Sequence, residues 1–218
     1  MWEIKNIEFA RNAERFLANE EPSAYAIGIF YFARDQNMKT RLYDLYKDKA
    51  IKELKKELGV KNVMQVPRLT KIVVNAGIGG YKDSREAVEA FVAELSALTG
   101  QKPSPRKARL SEAGFKIRQE DVVGYMVTLR GSIMWAFLDK LINVVLPRAR
   151  GFWGMGTDSF DGNGNYSAGI REHTVFPEVN PNAVKGIRSM QITIGTTAKD
   201  DSTAQALLKS LGFPFKKD

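Results

Sequence analysis

The chain has 218 residues, with 33 Lys+Arg against 25 Asp+Glu and a formal charge of +8. Hydrophobic residues make up 44 % and charged residues 27 %, a folded-domain composition that excludes wholesale disorder. With no Cys and one His, thiol nucleophiles, disulfide frameworks, thiolate zinc sites and His-rich metal clusters are excluded, and the charge points to an anionic partner such as nucleic acid.

Residues 1–37 hold four basic and six acidic groups, a net of −2, so the remainder from Met38 carries +10. This leader is rich in aromatics (Trp2, Phe9, Phe16, Tyr25, Phe30, Tyr31, Phe32), and its acids are the opposite of a mitochondrial transit peptide. Two readings stand: an extension that docks through its aromatics, or residues upstream of an alternative start at Met38. The longest apolar run, residues 24–33, is ten residues, well short of the roughly 20 a membrane span requires. No basic start leads into an apolar core and cleavage site, which argues against secretion.

Residues 41–58 place Leu42, Leu45, Tyr46, Ile51, Leu54 and Leu58 near helical spacing, with Gly59 positioned to end the helix. Residues 69–75 (LTKIVVN) are β-branched and predict a strand. Asp83 and Glu86 have capping-box spacing ahead of a helix over 85–99, whose Val88, Phe91, Leu95 and Leu98 share a face and which Gly100 closes. Residues 102–118 lack a period and read as mostly loop. A strand follows over 122–130, then an apolar helix over 132–145 that Pro147 stops. The glycine-rich stretch 151–165 reads as irregular, 190–197 as a strand, and Ser202 with Gln205 as the cap of a last helix ending at Gly212. Segregated helices and strands able to form hairpins predict an α+β fold, with no internal repeat and no linker after Met38.

The turn at Gly77, Ile78, Gly79 and Gly80 lies between a strand and a helix, the context of a dinucleotide loop. It lacks the third glycine at the required offset, and no GK[ST] occurs in the chain. A permissive turn is the simpler reading. His173, between charged neighbours and without a second His, builds neither a triad nor a zinc site; a surface or partly buried structural role is the default. The sequon at Asn165 has no meaning without a secretory signal. No pair of acids is placed for acid–base work, so nothing supports catalysis.

The strongest chemical signal is residues 102–118. Six cations (Lys102, Arg106, Lys107, Arg109, Lys116, Arg118) face one acid, Glu112, in a segment broken by Pro and Gly. Such a segment seeks phosphates, and Phe115 is placed to stack on a base or sugar. Lys71 and Asn75 are four apart on a strand and therefore share a face, with Thr128 on a second strand. Small polar groups on a sheet face suit RNA edges and 2′-hydroxyls.

These segments resemble a known family. Residues 63–79 (VMQVPRLTKIVVNAGIG), 99–131 (TGQKPSPRKARLSEAGFKIRQEDVVGYMVTLRG), 146–152 (LPRARGF), 159–179 (SFDGNGNYSAGIREHTVFPEV) and 207–215 (LLKSLGFPF) follow, in order, the motifs of the large-subunit ribosomal protein L-five family, closest to bacterial members. The resemblance begins near Met38. It implies a single α+β domain over 38–218: an antiparallel sheet with helices on one face, the other concave and open to RNA. It implies a non-enzymatic, cytoplasmic, ribosome-bound protein of the central protuberance, with no cofactor and no membrane. The implied partners are 5S rRNA, large-subunit rRNA, P-site tRNA, a small-subunit head protein at an intersubunit bridge, and neighbouring central-protuberance proteins. By resemblance, 5S rRNA falls to Lys71, Asn75, Gln101, Lys102 and Thr128. The basic loop with Arg106, Lys107, Arg109, Phe115, Lys116 and Arg118 falls to tRNA and rRNA.

Three departures accompany the likeness. Glu120 and Asp121 close the basic loop where relatives commonly carry Gly and Pro. Gly151 and Trp153 stand where an acid and an Arg are usual, and Asn163 stands where Arg is common. Residues 1–37 have no counterpart. The competing readings are a nucleotide-dependent enzyme using the 77–80 turn and a generic basic protein that coats nucleic acid without selectivity.

Overall fold

The computed structural model describes residues 40–81, 84–180, 184 and 186–216. The first helix opens as Arg41–Leu45, passes through a π-helical turn at Tyr46–Ala50 and closes as Ile51–Glu57; the whole is α1. Strand β1 is Leu69–Gly77, and helix α2 is Arg85–Thr99. Two antiparallel strands follow, β2 at Ser104–Lys107 and β3 at Val122–Leu129. Helix α3 begins as Gly131–Lys140 and continues through Leu141–Val145 to Leu146–Arg148. Strands β4 (Tyr166–Ile170) and β5 (Met190–Thr196) precede α4, Asp201–Ser210. The sheet order is β2-β3-β1-β5-β4, antiparallel throughout. This is the expected α+β architecture. Among the described residues no helix is long and apolar enough to cross a membrane.

Period-two burial decides which face carries the core. Along β1, Ile72, Val74 and Ala76 are buried while Lys71, Asn75 and Gly77 are exposed. Val127 and Leu129 of β3 and Ile192 and Ile194 of β5 join the same buried layer. The helices close it with Leu54 from α1, Phe91, Leu95 and Leu98 from α2, Leu138 and Leu141 from α3, and Leu207 and Leu208 from α4. Each such side chain, fully buried, contributes about 1.5–3 kcal/mol of transfer free energy. All four helices feed one core on one side of the sheet, and among the described residues no helix covers the other side.

Several local expectations change. Asp83 lies outside the described residues, and the Ser84 side chain accepts the N–H of Ala87 to cap α2; Gly100 ends that helix at φ 70°. Ser202 is not a cap. Helix α4 starts two residues earlier than such a cap requires, after Asp200, so Ser202 is already inside its first turn. Pro147 does not stop α3, because the π turn at Leu141–Val145 widens the backbone just before the ring that removes an N–H donor. β2 occupies part of the segment read as loop, and β4 part of the stretch between glycine-rich residues and β5 that carried no strand signal.

His173 is structural, but it is completely buried rather than at the surface. The N–H of Arg188 donates to its Nδ1 at 3.2 Å, so Nε2 carries the proton and donates to Glu94 at 3.0 Å. The Arg188 guanidinium, itself buried, lies 3.6 Å from the Glu94 carboxylate and donates to the carbonyl of Ala87 at 3.0 Å. Its planar face sits between the rings of Tyr81 and Phe91, at 4.6 and 4.5 Å. One charged cluster thereby ties the β4–β5 connection to α2.

Candidate nucleic-acid interface

Strand register assembles the uncovered face into rows. Thr128, Val73, Thr193 and Ser167 lie side by side across β3, β1, β5 and β4. The next row runs Ser104, Met126, Asn75, Gln191 and Gly169 across all five strands. Lys71 stands opposite Gly195, where an added Cβ would come within 3.2 Å of the lysine Cγ; the absent side chain leaves room for the Lys71 stem to lie across the sheet. The hydroxyls of Ser167 and Thr193 are 3.1 Å apart and hydrogen-bonded. The fold therefore brings Lys71, Asn75 and Thr128 onto one uncovered face. It adds three polar residues that sequence reasoning missed: Gln191, Thr193 and Ser167. The alternation in 190–196 placed Gln191 and Thr193 together, but nothing in that pattern says which face the helices leave open.

Gln101 and Lys102 stand apart from the rows, at the α2–β2 junction. Gln101 is partly buried, with its carbonyl accepting the Thr99 hydroxyl at 3.0 Å, while Lys102 is exposed. Both precede the β2 edge of the sheet, where Ser104 pairs with Met126.

The basic segment is an arm, not a featureless loop. β2 pairs with β3 through a bulge at Arg106 and Lys107, and beyond it Ala108 and residues 120–121 exchange backbone hydrogen bonds of 2.8 and 3.0 Å. Glu112 and Ile117 pair again near the tip, through bonds of 2.9 and 3.1 Å. The two acids that depart from the resemblance close the arm's base. Asp121 accepts the N–H of Arg118 at 2.8 Å, and Glu120 lies 3.5 Å from Lys107. An exposed pair of that kind contributes at most about 1 kcal/mol. It nevertheless sets a negative charge against one of the arm's cations. Arg106, Arg109, Phe115, Lys116 and Arg118 all remain exposed, Phe115 at 73 %.

Asn163 belongs to a turn held by two carboxylates. Asp161 accepts the N–H groups of Asn163 and Asn165 at 2.9 and 3.0 Å and the Asn165 amide at 2.7 Å. Asp201, at the start of α4, accepts the N–H groups of Gly162 and Gly164 at 3.1 and 3.0 Å. Hydrogen bonds to its ionised form, above all from Asn165, hold the Asp161 carboxyl below its ordinary 3.8. A lowered value stabilises the turn fully above pH 3.8, and that contribution is lost as pH falls through the folded-state value. In an acid titration followed by NMR, the amide signals of Asn163 and Asn165 should therefore shift together below pH 3.8; Asp161→Asn should abolish that transition.

A polar sheet face free of described helices beside a cationic arm is the makeup of a protein that holds RNA. Comparison with known proteins narrows that class. Residues 62–118 match the family model described as ribosomal protein L5, and residues 122–215 match the model of the C-terminus of the same ribosomal family. The chain is 51 % identical over 176 residues to the large ribosomal subunit protein uL5 of Psychrobacter sp. (strain PRwf-1), covering 81 % of this chain and 99 % of that protein. It is 49 % identical over 179 residues to the protein of the same name from Synechocystis sp. (strain ATCC 27184 / PCC 6803 / Kazusa), covering 82 % and 99 %. The chain belongs to the uL5 family of large-subunit ribosomal proteins. Members of that family are structural, non-enzymatic, ribosome-bound proteins of the cytoplasm, which removes the nucleotide-dependent enzyme from consideration.

Proposed function

We propose that this protein binds 5S rRNA through the uncovered face of its sheet and helps to build the central protuberance of the large subunit. The observation that carries the reading is that Lys71, Asn75 and Thr128 share one face of the sheet that none of the described helices covers. On this reading Lys71 supplies a charged contact to phosphate, and Asn75 and Thr128 hydrogen-bond to RNA edges and riboses; Gln101 and Lys102 add contacts at the β2 edge. Gln191, Thr193 and Ser167 extend the same surface. The arm, with Arg106, Lys107, Arg109, Phe115, Lys116 and Arg118, reaches P-site tRNA and large-subunit rRNA. A small-subunit head protein at an intersubunit bridge and neighbouring central-protuberance proteins complete the partners. Residues 38–218 are the RNA-binding domain, preceded by the acidic, aromatic-rich N-terminal extension of residues 1–37, to which no role is assigned.

Filter binding of the intact chain across a salt series tests the central claim. 5S rRNA from the same cells should bind at least tenfold more tightly than an unrelated hairpin, and log K for both should fall linearly with log salt. Equal affinity for the two RNAs would leave only the generic basic coat protein.

A further inference from the structure

Trp153 is 85 % exposed, among the most exposed large apolar side chains of the described residues. A solvated indole normally reflects a mobile surface segment, but this backbone is pinned. Met155 donates to the carbonyl of Pro214 at 2.8 Å, and Lys216 donates back to the carbonyl of Met155 at 2.9 Å. Gly154 has φ 105°, and a Cβ there would lie 2.7 Å from the Cα of Lys216, so the two backbones meet with no space for a side chain between them. Beneath this contact Phe160, Tyr166, Phe213 and Phe215 pack ring against ring, and the Tyr166 hydroxyl donates to the carbonyl of Gly156 at 2.9 Å. The indole takes no part in that cluster. It stands on top of a fixed platform.

The surroundings are cationic. Residues 147–156 contain Arg148 and Arg150 and no acid, and both arginines are exposed. Exposed Lys216 is held against the residue next to the indole. Among the described residues the two arginines line an open cleft with Glu172 as its one acid, and Trp153 lies outside that lining, three and five residues along the chain from the arginines. A rigid aromatic face among cations is how proteins hold an unstacked base: the ring stacks, and the cations take the flanking phosphates. We infer that Trp153 is a stacking platform for an unpaired nucleobase of ribosomal RNA, at a position where the chain carries no guanidinium. This rests on the RNA-binding reading above and goes beyond it in assigning a second site, remote in sequence from Lys71, Asn75 and Thr128.

Stacking and phosphate pairing are separable by salt. Intact wild-type, W153A, W153F and R148Q/R150Q chains would be titrated with 5S rRNA and, separately, with full-length large-subunit rRNA; the two arms identify which RNA supplies the base. W153A should lose about tenfold in affinity for one of them with an unchanged salt slope, and W153F should lose less. R148Q/R150Q should instead flatten the slope by one to two. RNA should quench emission in the wild type by an increment missing from W153F. Wild-type affinity of W153A for both RNAs, with no such increment, overturns the inference while the 5S reading stands. Quenching that requires ribosomal proteins instead of RNA also overturns it. Failure of the wild type itself to prefer either rRNA over an unrelated hairpin removes the reading beneath it.

Discussion

Replacing Arg188 by alanine is expected to lower the free energy of unfolding by about 3–5 kcal/mol, the usual cost of breaking a buried charge pair from one side. The guanidinium is the cation beside Glu94, whose half-buried carboxylate also accepts the Nε2–H of His173, and its removal takes that cation away from the carboxylate. The same change deletes the hydrogen bond to Ala87 and the packing between Tyr81 and Phe91. For a domain of this size the shift corresponds to a fall in Tm of roughly 10 °C. The double replacement Arg188→Met with Glu94→Gln should recover much of the loss, because an apolar side chain refills the space and no uncompensated charge stays buried. Urea unfolding of the three chains measures this; a change below about 1 kcal/mol for Arg188→Ala would show that the cluster contributes little to the fold.

The second large effect falls on RNA binding. Lys71→Met with Asn75→Ala should weaken specific binding to 5S rRNA by about 3 kcal/mol, roughly 150-fold. That figure combines a charge-assisted contact of about 1.5–3 kcal/mol with a neutral one near 1 kcal/mol. The two positions are four residues apart on β1, about 13 Å, so their effects should nearly add. Asn75 and Thr128 behave differently. Asn75 pairs with Met126, which makes Thr128 its diagonal neighbour at about 7–8 Å, and a double-mutant cycle on that pair should show coupling. All these side chains lie outside the core, so thermal unfolding should be unchanged. Wild-type affinity in the Lys71/Asn75 double variant, measured by filter binding, would remove the sheet face as the 5S surface.

Much of the fold was legible because its signals are local. Helix α2 matches its predicted span because Phe91, Leu95 and Leu98 recur at helical spacing between a capping serine and a left-handed glycine. β1, β3 and β5 match within two residues at each end, being β-branched and alternating. β2 was not legible: its four residues (SPRK) include a proline and are all exposed, and only pairing to β3 makes them a strand. β4 (YSAGI) is short and holds a glycine, and its partner β5 lies some 20 residues further along the chain. Pro147 misled for a related reason: its effect depends on the hydrogen-bonding pattern of the preceding turn, which a sequence does not display.

The candidate site divides in the same way. Lys71 and Asn75 share a face by strand periodicity alone, and the arm's five cations are visible in composition. Periodicity is symmetric between the two faces of a sheet, however, so it could not say which one the helices would cover. The joining of Thr128, Thr193 and Ser167 into a row required strand register, a long-range property. Likewise, a single histidine and no cysteine were enough to exclude triad and zinc chemistry at His173. Its burial against Glu94 and Arg188, 79 and 15 residues away, came from tertiary packing, because a polar ring is buried only where partners distant in sequence converge to hydrogen-bond both its nitrogens.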